Sequence, residues 1–278
     1  IFAEAVLAQV YRPRDDAGHI TGGPAYYISK GLGSHKLAVF FSVSIIIALG
    51  CIGNMVQSNS IADAFKTAFD VPPLVMGLII AACGAFVFFG GIGRIAAVTE
   101  KMVPLMALLY VIGGLFVVLS NADQIIPAFK MIFVGAFDPS AATGGIIGAG
   151  VKEAIRYGVA RGLFSNESGL GSAPIAAAAA RTSQPVVQAL ISMTQTFIDT
   201  LVVCSMTGLV ILVTGVWTSG KNGAPLTSYA FETGLPGELG GLIVTIGIIL
   251  FAYSTILGWS YYGEKAIEYL LGSKAIIP

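Results

Sequence analysis

The sequence predicts an all-α fold: a polytopic membrane helix bundle containing one discontinuous helix. Three observations carry this. Hydrophobic residues make up 55% of the 278 and charged residues only 11%, whereas soluble domains carry about 25% charged residues. Mean hydropathy is +0.84. Several windows reach the roughly 20 mostly apolar residues that a bilayer crossing needs, and one of them is interrupted at its middle by a run of glycine and polar residues.

The elements follow in chain order. Residues 1–10 read as the end of a span. Apolar windows then cover residues 37–65, 74–93, 102–120, 186–213 and 239–262. They are too long for barrel strands and lack strand alternation. In lipid every backbone group must be paired internally, so they are expected to be helices. Pro104 stands near the start of its window, where a missing N–H costs little. Residues 121–139 read as an outer loop with a short helix around 125–134. Residues 144–180 are long enough to span but interrupted. With the loop of residues 11–36 placed inside, nine basic residues fall inside and six outside, a weak positive-inside bias.

Composition also excludes functions. Fifteen basic and fifteen acidic residues balance, so no nucleic-acid partner is indicated. Cys51, Cys83 and Cys204 lie in apolar runs without metal spacing, and His19 and His35 share one polar loop. No metal cluster or nucleophilic triad can be assembled from that inventory.

The stretch 161–174, RGLFSNESGLGSAP, is the most informative. Ser165, Asn166, Glu167, Ser168, Gly169, Gly171 and Ser172 fall together at the centre of a span. Polar side chains there compete for the backbone, and each glycine lowers helix propensity by about 1 kcal/mol. The helix is expected to unwind near residues 166–171 and to restart near Ser172, which would serve as N-cap, with Pro174 in the first turn. Freed carbonyls suit Na⁺ or an ammonium, and freed N–H groups suit a carboxylate; a zwitterionic amino acid needs both. A glycine-rich loop outside the membrane, joining two shorter spans, is the competing reading.

Other polar groups lie at membrane depth. Asn54 and Gln57, three apart, share a helix face and could bind the polar ends of a substrate or bond to a neighbouring helix. Asp199 could neutralise an ion, pass a proton, or pair with hydroxyls. Ser254 and Thr255 supply adjacent oxygens of the kind hard cations prefer, or bond to their own helix carbonyls. Thr255 and Trp259, four apart, could hold an ion and wall a pocket; Trp259 and Tyr262 could instead anchor at the interface. Glu167 could bind substrate, cap freed N–H groups, or pair with a basic neighbour such as Arg161.

With these residues in view, the chain resembles the alanine or glycine:cation symporter family. The resemblance is carried, in order, by AEAVLAQVYR from Ala3, GGPAYYISKGLG from Gly22, GNMVQSNSIA from Gly53, RGLFSNESGLGSAPIA from Arg161, FIDTLVVCSMTGLVIL from Phe197 and FAYSTILGWSYYGEKAIEYL from Phe251. It departs at Ala25, Ser58 and Ala177, where the family commonly has Met, Ala and His. The resemblance implies a leucine-transporter-type fold of two inverted five-helix repeats and Na⁺-coupled alternating access in a cell membrane. On that pattern residues 1–278 form a single transporter domain, incomplete at both ends, running from the end of the second span to about the eighth. The broken helix is then the sixth span. Gln57, Phe164 and Trp259 correspond to pocket positions. The backbone of Asn166, Glu167, Ser168 and Gly169 would meet the amino acid. Thr255, with Ser254, corresponds to the sodium site. The implied partners are a small neutral amino acid (alanine or glycine), Na⁺ as coupling ion with no other cofactor, and the lipid bilayer. A proton-coupled carrier is the alternative; a channel or a membrane-embedded enzyme would need a continuous polar path or a reactive cluster.

Overall fold

A computed structural model describes residues 1–14, 18, 20–137, 147–237 and 239–276. Thirteen α-helices occur among them. They are α1 (Phe2–Val10), α2 (Pro24–Gly31), α3 (His35–Ile45), α4 (Asn54–Phe69), α5 (Pro73–Phe88), α6 (Gly91–Ser120), α7 (Ile125–Phe137), α8 (Ile147–Ser165), α9 (Ala173–Ala179), α10 (Pro185–Thr196), α11 (Ser205–Val213), α12 (Ala224–Gly234) and α13 (Leu239–Leu271). No named strand occurs among the described residues; one isolated bridge joins Arg14 and Ile20. His19 and the start of the interrupted stretch, residues 144–146, lie outside the described residues.

Among the described residues, four helical runs are long and apolar enough to cross a bilayer: His35–Lys66, Gly91–Ser120, Pro185–Val213 and Leu239–Leu271. Large apolar side chains point outward from them and from α5, as at Leu74, Leu78, Phe86, Leu105 and Leu119. Water would not tolerate that much apolar surface, whereas lipid does. On α5 the buried residues are Met76, Ile80, Gly84 and Val87, a single face at helical spacing.

The structure departs from the sequence reading in two places. The expected 74–93 window ends early, at Phe88, and α6 begins at Gly91 rather than near residue 102. Gly91 takes a positive φ of 64° and makes the turn without a side-chain penalty. Arg94 does not end the helix: its guanidinium stacks 5.0 Å from the Phe86 ring and donates to Phe86 O at 2.7 Å. Pro104 consequently lies inside α6 instead of near its start, and deprives the carbonyl four residues earlier of its N–H.

The second departure is local winding. Both the 37–65 and the 186–213 windows contain an eight-residue π-helix, Ile46–Gly53 and Phe197–Cys204. Such segments are rare and widen the turn at one point of a helix. Here each supplies residues to the polar groups described below.

The chain forms two compact units: Ile1–Met106 with Glu167–Gln195 and Ile248–Pro278, and Ala107–Asn166 with Thr196–Gly247. The first unit has a core of Ile45, Leu49, Val87, Ile95, Ile175, Leu257 and Trp259, with tyrosines 261 and 262. In it the first π segment meets α13 closely. A β-carbon at Gly50 would lie 3.5 Å from the α-carbon of Gly263, the kind of backbone approach that small residues permit in membranes. In the second unit, Val117, Val210, Phe231 and Val244 are buried, and Tyr110 stacks on Phe231 with ring centroids 5.3 Å apart.

Candidate functional site

The expected break is present. Helix α8 ends at Ser165 and α9 begins at Ala173. The Asn166 N–H still reaches Gly162 O at 3.1 Å, but beyond it the ladder stops, and the Leu170 N–H turns back to Glu167 O at 3.4 Å. Glycines 169 and 171 take positive φ of 81° and 79°, and Glu167 does so at 52°. For a residue with a side chain that conformation costs about 1–3 kcal/mol and must be held by its surroundings.

The Glu167 carboxylate provides the hold. Oε1 accepts from Trp259 Nε1 at 2.8 Å and Oε2 from Ser172 Oγ at 2.9 Å. Ser172 does not act as the expected N-cap. It precedes α9, but with helical φ and ψ, and its hydroxyl makes no cap bond. An N-cap side chain accepts from a backbone N–H and does so from non-helical φ and ψ, which Ser172 does not have. Pro174 lies in the first turn as expected. Glu4, which the sequence reading left unassigned, accepts from the Gly169 N–H through Oε2 at 3.3 Å. The only hint of it in the sequence was a carboxylate inside an otherwise apolar stub.

Helix α9 is also tied down at its far end. Gln9 Nε2 donates to Ala177 O and, at 3.1 Å, to Ala180 O. Arg12 Nη1 donates to Ala178 O at 3.1 Å and to Ala180 O at 2.7 Å. Two side chains of the α1 region thus satisfy the terminal carbonyls that a helix leaves unpaired, and the guanidinium complements the negative helix end.

Other expected site residues of the first unit sit on α4 and α13. Gln57 is half-buried. Trp259 is 6% exposed. Asn54 spends its amide nitrogen on Gly50 O at 3.1 Å and Ser260 Oγ at 3.0 Å, a helix-to-helix bond; its Oδ1 is buried with no partner among the described residues. Ser254 and Thr255 both donate to Phe251 O, at 2.8 and 2.9 Å. Donation uses the hydrogen and leaves the oxygen lone pairs able to face a cation.

Phe164 and Asn166 belong to the second unit. Phe164 is exposed and Asn166 buried. The Asn166 side chain exchanges hydrogen bonds with Thr200: Nδ2 donates at 2.8 Å, and Thr200 Oγ1 donates to Oδ1 at 3.0 Å. Beside it Ser165 Oγ donates to Asp199 Oδ2 at 2.6 Å. Asp199 and Thr200 come from the second π segment, at whose end Thr200 O accepts both the Ser205 backbone N–H and, at 3.1 Å, Ser205 Oγ. The matched polar doublets, Ser165–Asn166 and Asp199–Thr200, were the available sequence signal for this pairing.

Known proteins place this geometry in context. The model of the family described as "Sodium:alanine symporter family" matches residues 1–278. The sodium/alanine symporter AgcS of Methanococcus maripaludis is 51% identical, covering 99% of this chain and 61% of the relative's length. A transporter of Haemophilus influenzae is 48% identical, with 99% and 61% covered. The amino-acid carrier protein AlsT of Bacillus subtilis is 39% identical, with 98% and 57% covered. The chain spans about three fifths of the length of these curated relatives.

Proposed function

The chain belongs to the sodium:alanine symporter family, and on that premise we propose that it forms the larger part of a secondary active transporter that moves alanine or glycine together with Na⁺. The family and the relatives it matches are transporters, not enzymes. The observation that carries the reading is the break between α8 and α9, which leaves peptide groups outside the helical ladder within a chain of long apolar helices. Carbonyls of such a break attract the substrate ammonium and N–H groups its carboxylate.

In this reading residues 1–278 are one transporter domain with a leucine-transporter-type arrangement in the cell membrane. The backbone of Glu167, Ser168 and Gly169 meets the amino acid, and Gln57 and Trp259 flank it. Phe164 and Asn166 are assigned to the substrate from the sequence pattern alone. Ser254 and Thr255 offer oxygens to the coupling ion. Coupling requires that ion and substrate each prefer one conformation, so that binding of one shifts the population toward the state the other binds.

The test is uptake of labelled alanine into proteoliposomes by a protein that carries this chain at its relatives' length. Uptake is expected to saturate, and an inward Na⁺ gradient should accumulate alanine above its external concentration; equilibration without accumulation overturns the reading. Thr255→Ala is expected to raise the Na⁺ concentration for half-maximal uptake about tenfold, the effect of ~1.4 kcal/mol lost from ion binding. An unchanged Na⁺ dependence removes Thr255 from the ion site.

A further inference from the structure

The indole of Trp259 is held at two opposite edges. Nε1, on the pyrrole edge, donates to Glu167 Oε1 at 2.8 Å. Cζ3 and Cε3, on the benzene edge, lie against Gly53: a β-carbon built there would stand 2.5 and 2.6 Å from them. It would also stand 3.1 Å from Ala48 O, so the helix side is closed as well. Backbone freedom does not explain this glycine, because its φ is −60° and its ψ −45°. What the position uses is the missing side chain. The π segment ending at Gly53 brings that bare α-carbon to the ring, and burial of Trp259 leaves the ring little room to turn aside.

We propose that Gly53 and Glu167 set the size of the amino-acid side chain the transporter accepts, by fixing how far the Trp259 ring reaches toward the break. The inference rests on Trp259 being a wall of the proposed substrate pocket. Gly53 and the Glu167 carboxylate act through the ring and are positioning residues. Glu167 lies in the break, and its second oxygen is fixed by Ser172, so the ring is registered against the same peptide groups that are proposed to meet the substrate. A methyl at Gly53 pushes the benzene edge, and the ring moves along its length toward Glu167. Space beside the break shrinks, and alanine loses more than glycine.

The experiment uses the reconstituted protein at its relatives' length, labelled with 5-fluorotryptophan, with the Trp259 resonance assigned by its disappearance in Trp259→Phe. Gly53→Ala is expected to shift that ¹⁹F resonance and to raise the ratio of alanine KM to glycine KM about tenfold, the usual worth of one methyl in a tight pocket. Glu167→Ala is expected to shift the resonance and change the ratio. Glu167→Gln keeps an oxygen that accepts from Nε1 and is expected to return both toward wild-type values. An unmoved resonance and ratio in Gly53→Ala overturn the proposal, as does Glu167→Gln behaving like Glu167→Ala. Should Gly53→Ala not be recovered from membranes, the Glu167 pair decides. Wild-type protein without sodium-driven uptake of either amino acid overturns the transport reading and this inference with it; wild-type uptake with unaltered selectivity in every variant overturns this inference alone.

Discussion

Gly240→Ala is expected to destabilise the second unit by about 3 kcal/mol, at the upper end of what added volume costs in a packed interior. A β-carbon at Gly240 would run into the carbonyl oxygen and carbon of Phe231 and the amide nitrogen of Glu232. All three are backbone atoms at the end of α12, so no flexible side-chain tip can yield. Phe231 itself is fully buried, and it packs on Tyr110, which donates to or accepts from Thr207 at 2.6 Å. A shift at α12 therefore spreads to α6 and α11. Thermal unfolding in detergent checks this: a melting temperature within a degree of wild type would show that the approach of α13 to α12 is looser than described. Gly241→Ala serves as the control, because the nearest atoms its new β-carbon would meet belong to the Glu232 side chain, which can swing away.

Removing both Gln9 and Arg12 side chains, as Gln9→Ala with Arg12→Ala, is expected to produce a comparable effect, a loss of about 2–4 kcal/mol. Carbonyls at Ala178 and Ala180 would lose these donors and Ala177 would keep only the Ala180 N–H at 3.3 Å, and each unsatisfied buried group costs about 1–3 kcal/mol. Ala177 and Ala178 are buried, so water cannot easily replace the lost donors. Arg12→Lys should recover part of the loss, because an ammonium can donate to one or two of the carbonyls but cannot reproduce the planar fork. The measurement is again thermal unfolding, paired with alanine uptake. A double variant as stable as wild type would show that α9 is held by packing alone. Such packing exists: β-carbons at Gly22 and Gly23 would press on Ala178 and Ile175, at 2.5 and 2.7 Å.

Much of the candidate site was legible because its signal is local. Residues 161–174 combine helix-breaking glycines with side chains that compete for the backbone, and the structure ends α8 and restarts α9 within that stretch. The short helix expected around 125–134 is present as α7. By contrast, Ser172 carries the composition of an N-cap, but its φ and ψ are helical, it makes no cap bond, and its hydroxyl donates to the Glu167 carboxylate. The early start of α6 was not legible either: the charges at Arg94, Glu100 and Lys101 look like a loop, yet Arg94 finds its partner eight residues back, across the turn, at Phe86 of α5.

The amino-acid order alone settled the solvent, the helical class, the place of the break and the family pattern, since each depends on composition or on neighbours a few residues apart. The contacts of the two π segments, the clamp of Glu167 on Trp259, the Gly53 approach and the capping of α9 by Gln9 and Arg12 join residues 34 to 213 positions apart. Which carboxylate, ring or bare α-carbon meets which backbone group is decided by how helices pack, and that information is not stored in any local window of the chain.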